Sequence, residues 1–324
     1  MLVTKFSVVI PLFNKRPHVG RAIQSVLAQT VGVHEIVVVD DGSSDGGFEY
    51  VRGLGDVRIK LHQRNTPGPG GYAARNLGIE VASGDWIAFL DADDEWLPHH
   101  LEIVEQTMRM CDRPNDLVCV GTGFRILFPS GREEFDIYSR YRKEGGPEFL
   151  DFEQLLATWL VVGGAPVWTS ATVCRRDALI AAGLFPADRC SRGGDKDMWL
   201  RIAALGVTAI NPVITATYFK DSINMVTSRT TVHARHCICH SIEAMLLQAK
   251  PAIAGLLRKT YNLEIFKYCI HSVKTTRVDK AIWRGFYASE NPVQYLVLGA
   301  LSNSLTDGIW RVFLRLRSRA LKRH

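Results

Sequence analysis

The chain has 324 residues, 47% of them hydrophobic and 22% charged, with a formal net charge of +6. That composition excludes a disordered or collagenous chain and leaves room for one large α/β domain, or for a catalytic domain with an appendage. No apolar stretch reaches the roughly 18–20 residues that span a bilayer. No zinc-finger, RNP or helix-turn-helix spacing accompanies the basic balance, so nucleic acid is not an expected partner.

The first residues, "MLVTKFSVVIPLFN", have no basic leader and no small-residue cleavage site, and they read as a first strand. "FSVVIPLF" is a continuous apolar run, as a strand covered on both faces requires. "RPHVGRAIQSVLAQ" then places Val19, Ile23, Val26 and Leu27 at helical spacing. The strand "EIVVVD", the turn "DGSSDGG", a weak helix and the strand "VRIKLHQ" follow. A Gly/Pro loop, "TPGPGG", leads into the helix "YAARNLGIEVA" and the strand "WIAFLD". Strands alternating with helices imply right-handed crossovers and a largely parallel sheet.

Two of these strands end in carboxylates: Asp40 and Asp41 after one, Asp91, Asp93 and Asp94 after the other. In an open α/β sheet, ligands bind outside the carboxyl ends of the strands. The pairs Asp40/Asp41 and Asp91/Asp93 are therefore expected along one edge. Like charges crowded this closely call for a positive partner, and a divalent cation held by hard oxygens is one. A solvated turn capping the next helix is the alternative, and it is the preferred reading for Asp94.

Beyond the helix "LPHHLEIVEQTMRM", the stretch "DLVCVGTGFRILFPSGREEF" reads as two β segments around a Pro-Ser-Gly turn. A polar irregular section runs to about position 147, before the helix "DFEQLLATWLV". "WTSATVC" is strand-like and "RRDALIAAG" a short helix, while "GGDKDMWLRIAAL" starts with turn residues and becomes helical. "TAINPVITATYF" is a last strand, and from about Thr231 onward the pattern is nearly all helix. Domains 1–230 and 231–324 are expected. Seven cysteines at scattered spacing fit a reducing cytosol better than a disulfide framework.

"FSVVIPLFN", "EIVVVDDGSSD", "AARNLGIEVASGDWIAFLDADDEW" and "GDKDMWLRIAALG", in this order, resemble family 2 glycosyltransferases of the GT-A fold over roughly residues 5–225. The resemblance implies a Rossmann-like sheet flanked by helices and an inverting, metal-dependent transfer from a nucleotide-sugar, UDP-linked by preference. Mn²⁺ or Mg²⁺ would be the cofactor and a glycan or lipid-linked molecule the acceptor, in a setting such as bacterial surface polysaccharide assembly. Asp91 and Asp93 match the D-x-D motif, with Asp93 as direct metal ligand and Asp91 turned toward ribose or a water ligand. Asp41 matches the aspartate that reads the base, with Asp40 as its partner in shaping the turn. Pro11, within the first motif, is by the same resemblance a nucleotide-sugar-binding residue. Phe13 matches a position that packs on the base, and a core aromatic is the alternative. Arg75, behind the glycine loop, is read as charge near the diphosphate or as an ordinary solvated arginine.

The general base of the family is the aspartate of a Glu-Asp pair, which puts Asp195 in that role; a helix cap is the alternative. Gly194 stands where glutamate is common, and this departure leaves Asp197 as the fallback base. Trp168 and Trp199 are acceptor-pocket or core aromatics. The Q-x-x-R-W motif of processive synthases is absent. A nucleotidylyltransferase would carry a glycine-rich first loop where "PLFNKRP" stands, and a catalytically silent nucleotide-sugar-binding scaffold has only Gly194 in its support.

Two segments lie outside this pattern. "HARHCICH" (233–240) reads as helix filler, since a zinc site would need a second ligand pair. "IWRVFLRLRSRALKRH" (309–324) carries six Lys/Arg and no acid, with Arg311, Arg315, Arg319, Lys322 and Arg323 on one helical arc. Such a helix either lies in an anionic membrane surface, at the inner face of a cytoplasmic membrane, or docks on its own domain.

Overall fold

A computed structural model describes residues 4–142, 145–190, 192–222, 235–272 and 280–302. The chain forms two compact units, Met1–Arg229 and Thr230–His324.

In the first unit the chain order is β1 (Phe6–Leu12), α1 (Arg16–Leu27), β2 (Glu35–Asp40), α2 (Gly47–Arg52), β3 (Ile59–Gln63), α3 (Tyr72–Val81) and β4 (Trp86–Phe89). A short β5 (Glu95–Trp96), α4 (His100–Arg109), β6 (Leu117–Leu127), β7 (Glu133–Phe135), α5 (Ile137–Tyr141), β8 (Glu148–Leu150) and α6 (Phe152–Val162) follow. The unit is completed by β9 (Thr172–Arg175), α7 (Arg176–Ala181), α8 (Gly194–Ala203) and β10 (Val207–Phe219).

The described strands form one ten-stranded sheet in the order β3-β2-β1-β4-β9-β6-β10-β5, with β7 on β6 and β8 on β10. β1, β2, β3 and β4 are mutually parallel. β9 runs antiparallel between β4 and β6, which the apolar pattern of "WTSATVC" could not signal. β6 and β7 are the two β segments expected around the Pro-Ser-Gly turn, while the section after them, expected to be irregular up to about position 147, contains α5, and β8 begins immediately after it.

The central strands are apolar because both faces are covered: Phe6, Val8, Val9 and Ile10 are fully buried. On one face α1 lays down Val19, Ala22, Ile23 and Val26. On the other, α3 approaches β1 so closely that a Cβ at Gly78 would stand 2.5 Å from Val9 Cγ1, so only glycine fits. The register Leu12↔Asp40 and Val9↔Phe89 sets the carboxyl ends of β1, β2 and β4 along one edge. β10 is bulged between Asn211 and Ala216, where Pro212 cannot donate to the ladder, and its end carries the chain on to Ser222.

The second unit contains α9 (Ile238–Leu246), α10 (Pro251–Ser272) and α11 (Pro292–Ser302), and every described element there is helical. Ile238, Ile242, Leu257, Tyr261 and Ile265 are buried within it. No described helix is long and apolar enough to cross a membrane. The basic segment 309–324 and His233 lie outside the described residues.

Candidate active site

The turn after β4 sorts its three carboxylates by burial. The Asp94 N–H donates to the Asp91 carbonyl at 3.0 Å, closing the turn. Ser170 Oγ, in the short helical turn before β9, accepts from the Asp91 N–H at 3.1 Å and donates to Asp94 Oδ2 at 2.6 Å. Asp94 is buried beneath the turn. Burial, then the charges of Asp93 and Asp91, hold its carboxyl well above the usual carboxylate range, against hydrogen bonds from Ser170 and the Phe219 N–H. The expectation of a helix cap at Asp94 is therefore corrected: α4 begins six residues later behind His99, and Asp94 is the anchor of the turn.

Asp91 and Asp93 keep side chains that are 29% and 16% exposed, and each has a cation. Arg75 pairs with Asp91 through Nη2, while its Nη1 donates to the Gly70 carbonyl at 3.0 Å. Arg75 is buried, so the solvated-arginine alternative does not hold. Lys15 Nζ lies 2.6 Å from Asp93 Oδ2, which also accepts from Ser222 Oγ. Arg21 Nη2 reaches the Asp93 carbonyl at 2.7 Å, and its guanidinium sits 3.5 Å above the Phe219 ring. The repulsion within "DADD" is thus relieved by two bound cations and one buried carboxyl held above its usual range.

Further along the same edge, Asp40 is fully buried and accepts from the Ser43 N–H at 3.2 Å and from Gln63 Nε2 at 3.3 Å. Asp41 pairs with Arg64 and accepts from the Gly68 N–H at 3.0 Å. The loop before α3 is thereby tied to the end of β2. Pro11 lies against Gly71 of that loop, at 3.6 Å from the position of a Cβ there. Phe13 is 45% exposed, so it is not a core aromatic. Asn14 beyond it takes a positive φ of 51° and accepts from the Ser44 N–H at 2.8 Å.

The start of α8 meets this cluster through Tyr72. The Gly194 N–H donates to Tyr72 Oη at 2.9 Å. Burial first, and the charge of Asp195 second, push the Tyr72 phenol above its ordinary value. Asp195 lies within electrostatic reach of Arg75 as well, so Asp91, Arg75, Tyr72 and Asp195 form one neighbourhood. Asp197 behaves differently. It is fully buried and holds Arg201 at 2.9 Å, whose Nη2 donates to the Leu184 carbonyl at 2.7 Å. This carboxylate fastens α8 to the turn after α7, which removes it as fallback base. Trp199 is 1% exposed and belongs to the core. Trp168 is partly buried, with ring centroids 4.3 Å from Phe124 and 5.3 Å from Tyr218.

Among the described residues, no three His, Cys, Asp or Glu side chains converge as a self-sufficient metal site. Asp93 and Asp91 supply hard, partly exposed oxygens at the strand edge. That donor set fits an ion completed by phosphate oxygens and water, the usual habit of Mg²⁺ and Mn²⁺ at nucleotides. Lys15, Arg64, Tyr72, Ser170 and Ser222 are site residues that motif reasoning passed over. Their only local signal is proximity to a glycine or to a strand end.

Glycosyl transferase family 2 matches residues 7–162. An uncharacterized glycosyltransferase, YibD of Escherichia coli (strain K12), is 41% identical over 193 residues, covering 57% of this chain and 54% of that protein. WfgD of Escherichia coli, a UDP-Glc:alpha-D-GlcNAc-diphosphoundecaprenol beta-1,3-glucosyltransferase, is 41% identical over 97 residues, 30% of this chain and 38% of that one. The matches span about a third to a half of the length of such curated relatives. In structure, S. aureus TarS 1-349 in complex with UDP-GlcNAc superposes with a TM-score of 0.57 at 15% identity, over 94% of this chain and 92% of that one. Residues 7–162, a little under half of the chain, thus match glycosyl transferase family 2, and the sheet order and the likeness to TarS show the GT-A fold.

Proposed function

We propose that the protein is a metal-dependent, inverting glycosyltransferase that moves a sugar from a nucleotide-sugar, UDP-linked by preference, to a glycan or lipid-linked acceptor. The observation that carries this reading is the shared neighbourhood of Asp91, Arg75, Tyr72 and Asp195 at the carboxyl edge of the sheet. It brings a D-x-D carboxylate and a partly buried carboxylate at the start of α8 within electrostatic reach of one buried arginine.

In this reading Phe13 packs on the base, Asp41 accepts the ring N–H once Arg64 shifts, and Asp91 meets the ribose. Asp93, with Asp91 beside it, holds Mn²⁺ or Mg²⁺, which when bound supplies Lewis-acid neutralisation of the departing diphosphate. Arg75 adds fixed positive charge there without reorganising. Asp195 takes the proton of the acceptor hydroxyl as that oxygen attacks the anomeric carbon from the face opposite the nucleotide. A single displacement of this kind inverts configuration and needs no enzyme nucleophile.

The nucleotide-sugar named for WfgD and the UDP-GlcNAc bound to TarS support a UDP-sugar donor. WfgD acts on a diphosphoundecaprenol substrate and ExoW of Rhizobium meliloti is a succinoglycan biosynthesis protein, which supports surface polysaccharide assembly as the setting. A lipid-linked acceptor fits work at the cytoplasmic face of a membrane. Val293 and Leu296 of α11, 69% and 71% exposed, and the basic sequence 309–324 support a peripheral membrane contact of the C-terminal unit.

The test compares wild type with Asp195→Asn for donor binding by calorimetry and for transfer to a lipid-linked acceptor. Unchanged donor affinity with transfer reduced at least about 100-fold is expected. Equal transfer rates would remove Asp195 from the base role.

A further inference from the structure

Lys15 is the residue whose position neither the motifs nor the proposed chemistry explains. It stands at the entrance of α1, immediately after the positive-φ residue Asn14, so its backbone is held by the turn beyond β1. Its side chain is 11% exposed, and Nζ contacts Asp93 Oδ2 and Ser222 Oγ, both at 2.6 Å. Ser222 in turn donates to the same Asp93 oxygen. The ammonium therefore sits where the direct metal ligand of the proposed site would present its oxygen. A divalent ion on either oxygen of that carboxylate would lie within a few ångström of a unit positive charge.

Lysine suits a position that has to be given up. Its ammonium is a compact point charge on a flexible four-carbon stem, so it can leave a carboxylate without moving its own backbone. Arg75 at Asp91 is the contrast in chemistry: both cations have a second partner, but the planar guanidinium of Arg75 is fixed in orientation between the Asp91 carboxylate and the Gly70 carbonyl. Of the two cations that neutralise the D-x-D carboxylates, Lys15 is the one built to move. A nucleoside diphosphate brings the negative charge that can take it.

We propose that Lys15 is a resident counter-cation of Asp93 that keeps divalent metal off the protein until a nucleoside diphosphate arrives. On that arrival the ammonium transfers from Asp93 to a phosphate oxygen, and the metal enters with the nucleotide. Binding is then ordered, with metal and nucleotide strongly cooperative. The same lysine that opposes metal alone favours the ternary complex, because its charge is redirected to the diphosphate. This inference rests on the metal reading above.

Free Mn²⁺ is followed by its EPR signal in titrations of wild type, Lys15→Met, Lys15→Gln and the double variant Lys15→Met/Asp93→Asn. Each is titrated alone and with UDP, GDP or dTDP. Two neutral replacements of different polarity separate loss of the charge from a packing defect. Wild type is expected to bind Mn²⁺ weakly alone and tightly with one of the nucleotides. Both lysine variants should bind Mn²⁺ alone at least about tenfold more tightly than wild type, since a nearby unit charge is gone. Adding Asp93→Asn should abolish that gain, and the nucleotide should enhance Mn²⁺ affinity less in the lysine variants than in wild type. Unchanged or weaker metal binding by the lysine variants alone, with nucleotide-assisted binding intact in wild type, would overturn the inference and leave the metal reading standing. No Mn²⁺ uptake by wild type with any of the nucleotides would overturn both.

Discussion

The ring of Tyr72 fills the space that a side chain at position 194 would need. A Cβ on Gly194 would stand 2.9 Å from Tyr72 Cζ and 2.9 Å from Pro186 Cγ, while the Gly194 N–H donates to Tyr72 Oη. The glycine that departs from the Glu-Asp pair of the family is thus matched by a tyrosine more than a hundred residues earlier. It is a packing solution, and it leaves Asp195 at the same edge. Gly194→Ala should destabilise the fold by about 1–3 kcal/mol, as overpacking does. The cost should shrink in a Tyr72→Leu background, and urea unfolding of the four proteins measures it. Additive losses would show that the two residues do not share space.

Arg75 and Asp91 give a second prediction. The guanidinium is buried, bonded to one carboxylate and one carbonyl, and stands within 6.0 Å of the Tyr72 centroid and 5.7 Å of the Phe185 centroid. Arg75→Met leaves both acceptors unserved and should cost about 1–3 kcal/mol. Arg75→Lys should not restore nucleotide affinity, because an ammonium cannot serve both acceptors from one plane. Calorimetric titration with UDP checks this; full recovery in the lysine variant would contradict it.

The two aspartates at the start of α8 should separate cleanly. Asp197→Asn breaks a buried pair and should lower unfolding stability by about 3 kcal/mol. Asp195→Asn should stay within about 0.5 kcal/mol of wild type, as substitutions outside the packed core do, and should lose transfer activity instead. Paired unfolding and activity measurements would reverse these assignments if the losses were exchanged.

His100 sets the acid response. It is fully buried, stacked on Trp96 at 4.2 Å with Nδ1 2.7 Å from Thr215 Oγ1, and burial lowers its pKa to about 3. The unfolded chain takes up this proton below about pH 6.5, whereas the native chain does not until about pH 3. The unfolded state binds more protons in that window, so native stability falls as pH drops through it. Relative to His100→Gln, wild type should lose about 3 kcal/mol more between pH 7.5 and pH 4.5. Parallel stability curves for the two proteins would contradict the assignment.

The motif-bearing half of the fold is readable in sequence for a physical reason. β1, β2 and β4 are covered on both faces, so they appear as apolar runs, and their acidic ends mark the edge where ligands bind. What escaped depends on distant partners. The direction of β9 is set by its neighbours β4 and β6, and four residues carry no record of it. β5 is two residues long and is defined by its pairing with Ala216 and Thr217 of β10, more than a hundred residues away. Asp94 reads as a helix cap until Ser170, 76 residues away, is brought over it. Lys15 lies 78 residues from Asp93, and no local pattern links an ammonium after one strand to a carboxylate after another.

The account turns on "DADD" as a metal-assisted donor site, and nucleotide release tests it most directly. Purified protein is incubated with UDP-, GDP- and dTDP-sugars in Mn²⁺, Mg²⁺ or EDTA, with Asp93→Ala in parallel. The account predicts slow release of nucleotide from one donor class, abolished by EDTA and reduced at least about 100-fold in Asp93→Ala. Release that persists in EDTA and in Asp93→Ala would contradict it, as would a protein that neither hydrolyses any of these donors nor binds any of them in a metal-dependent way.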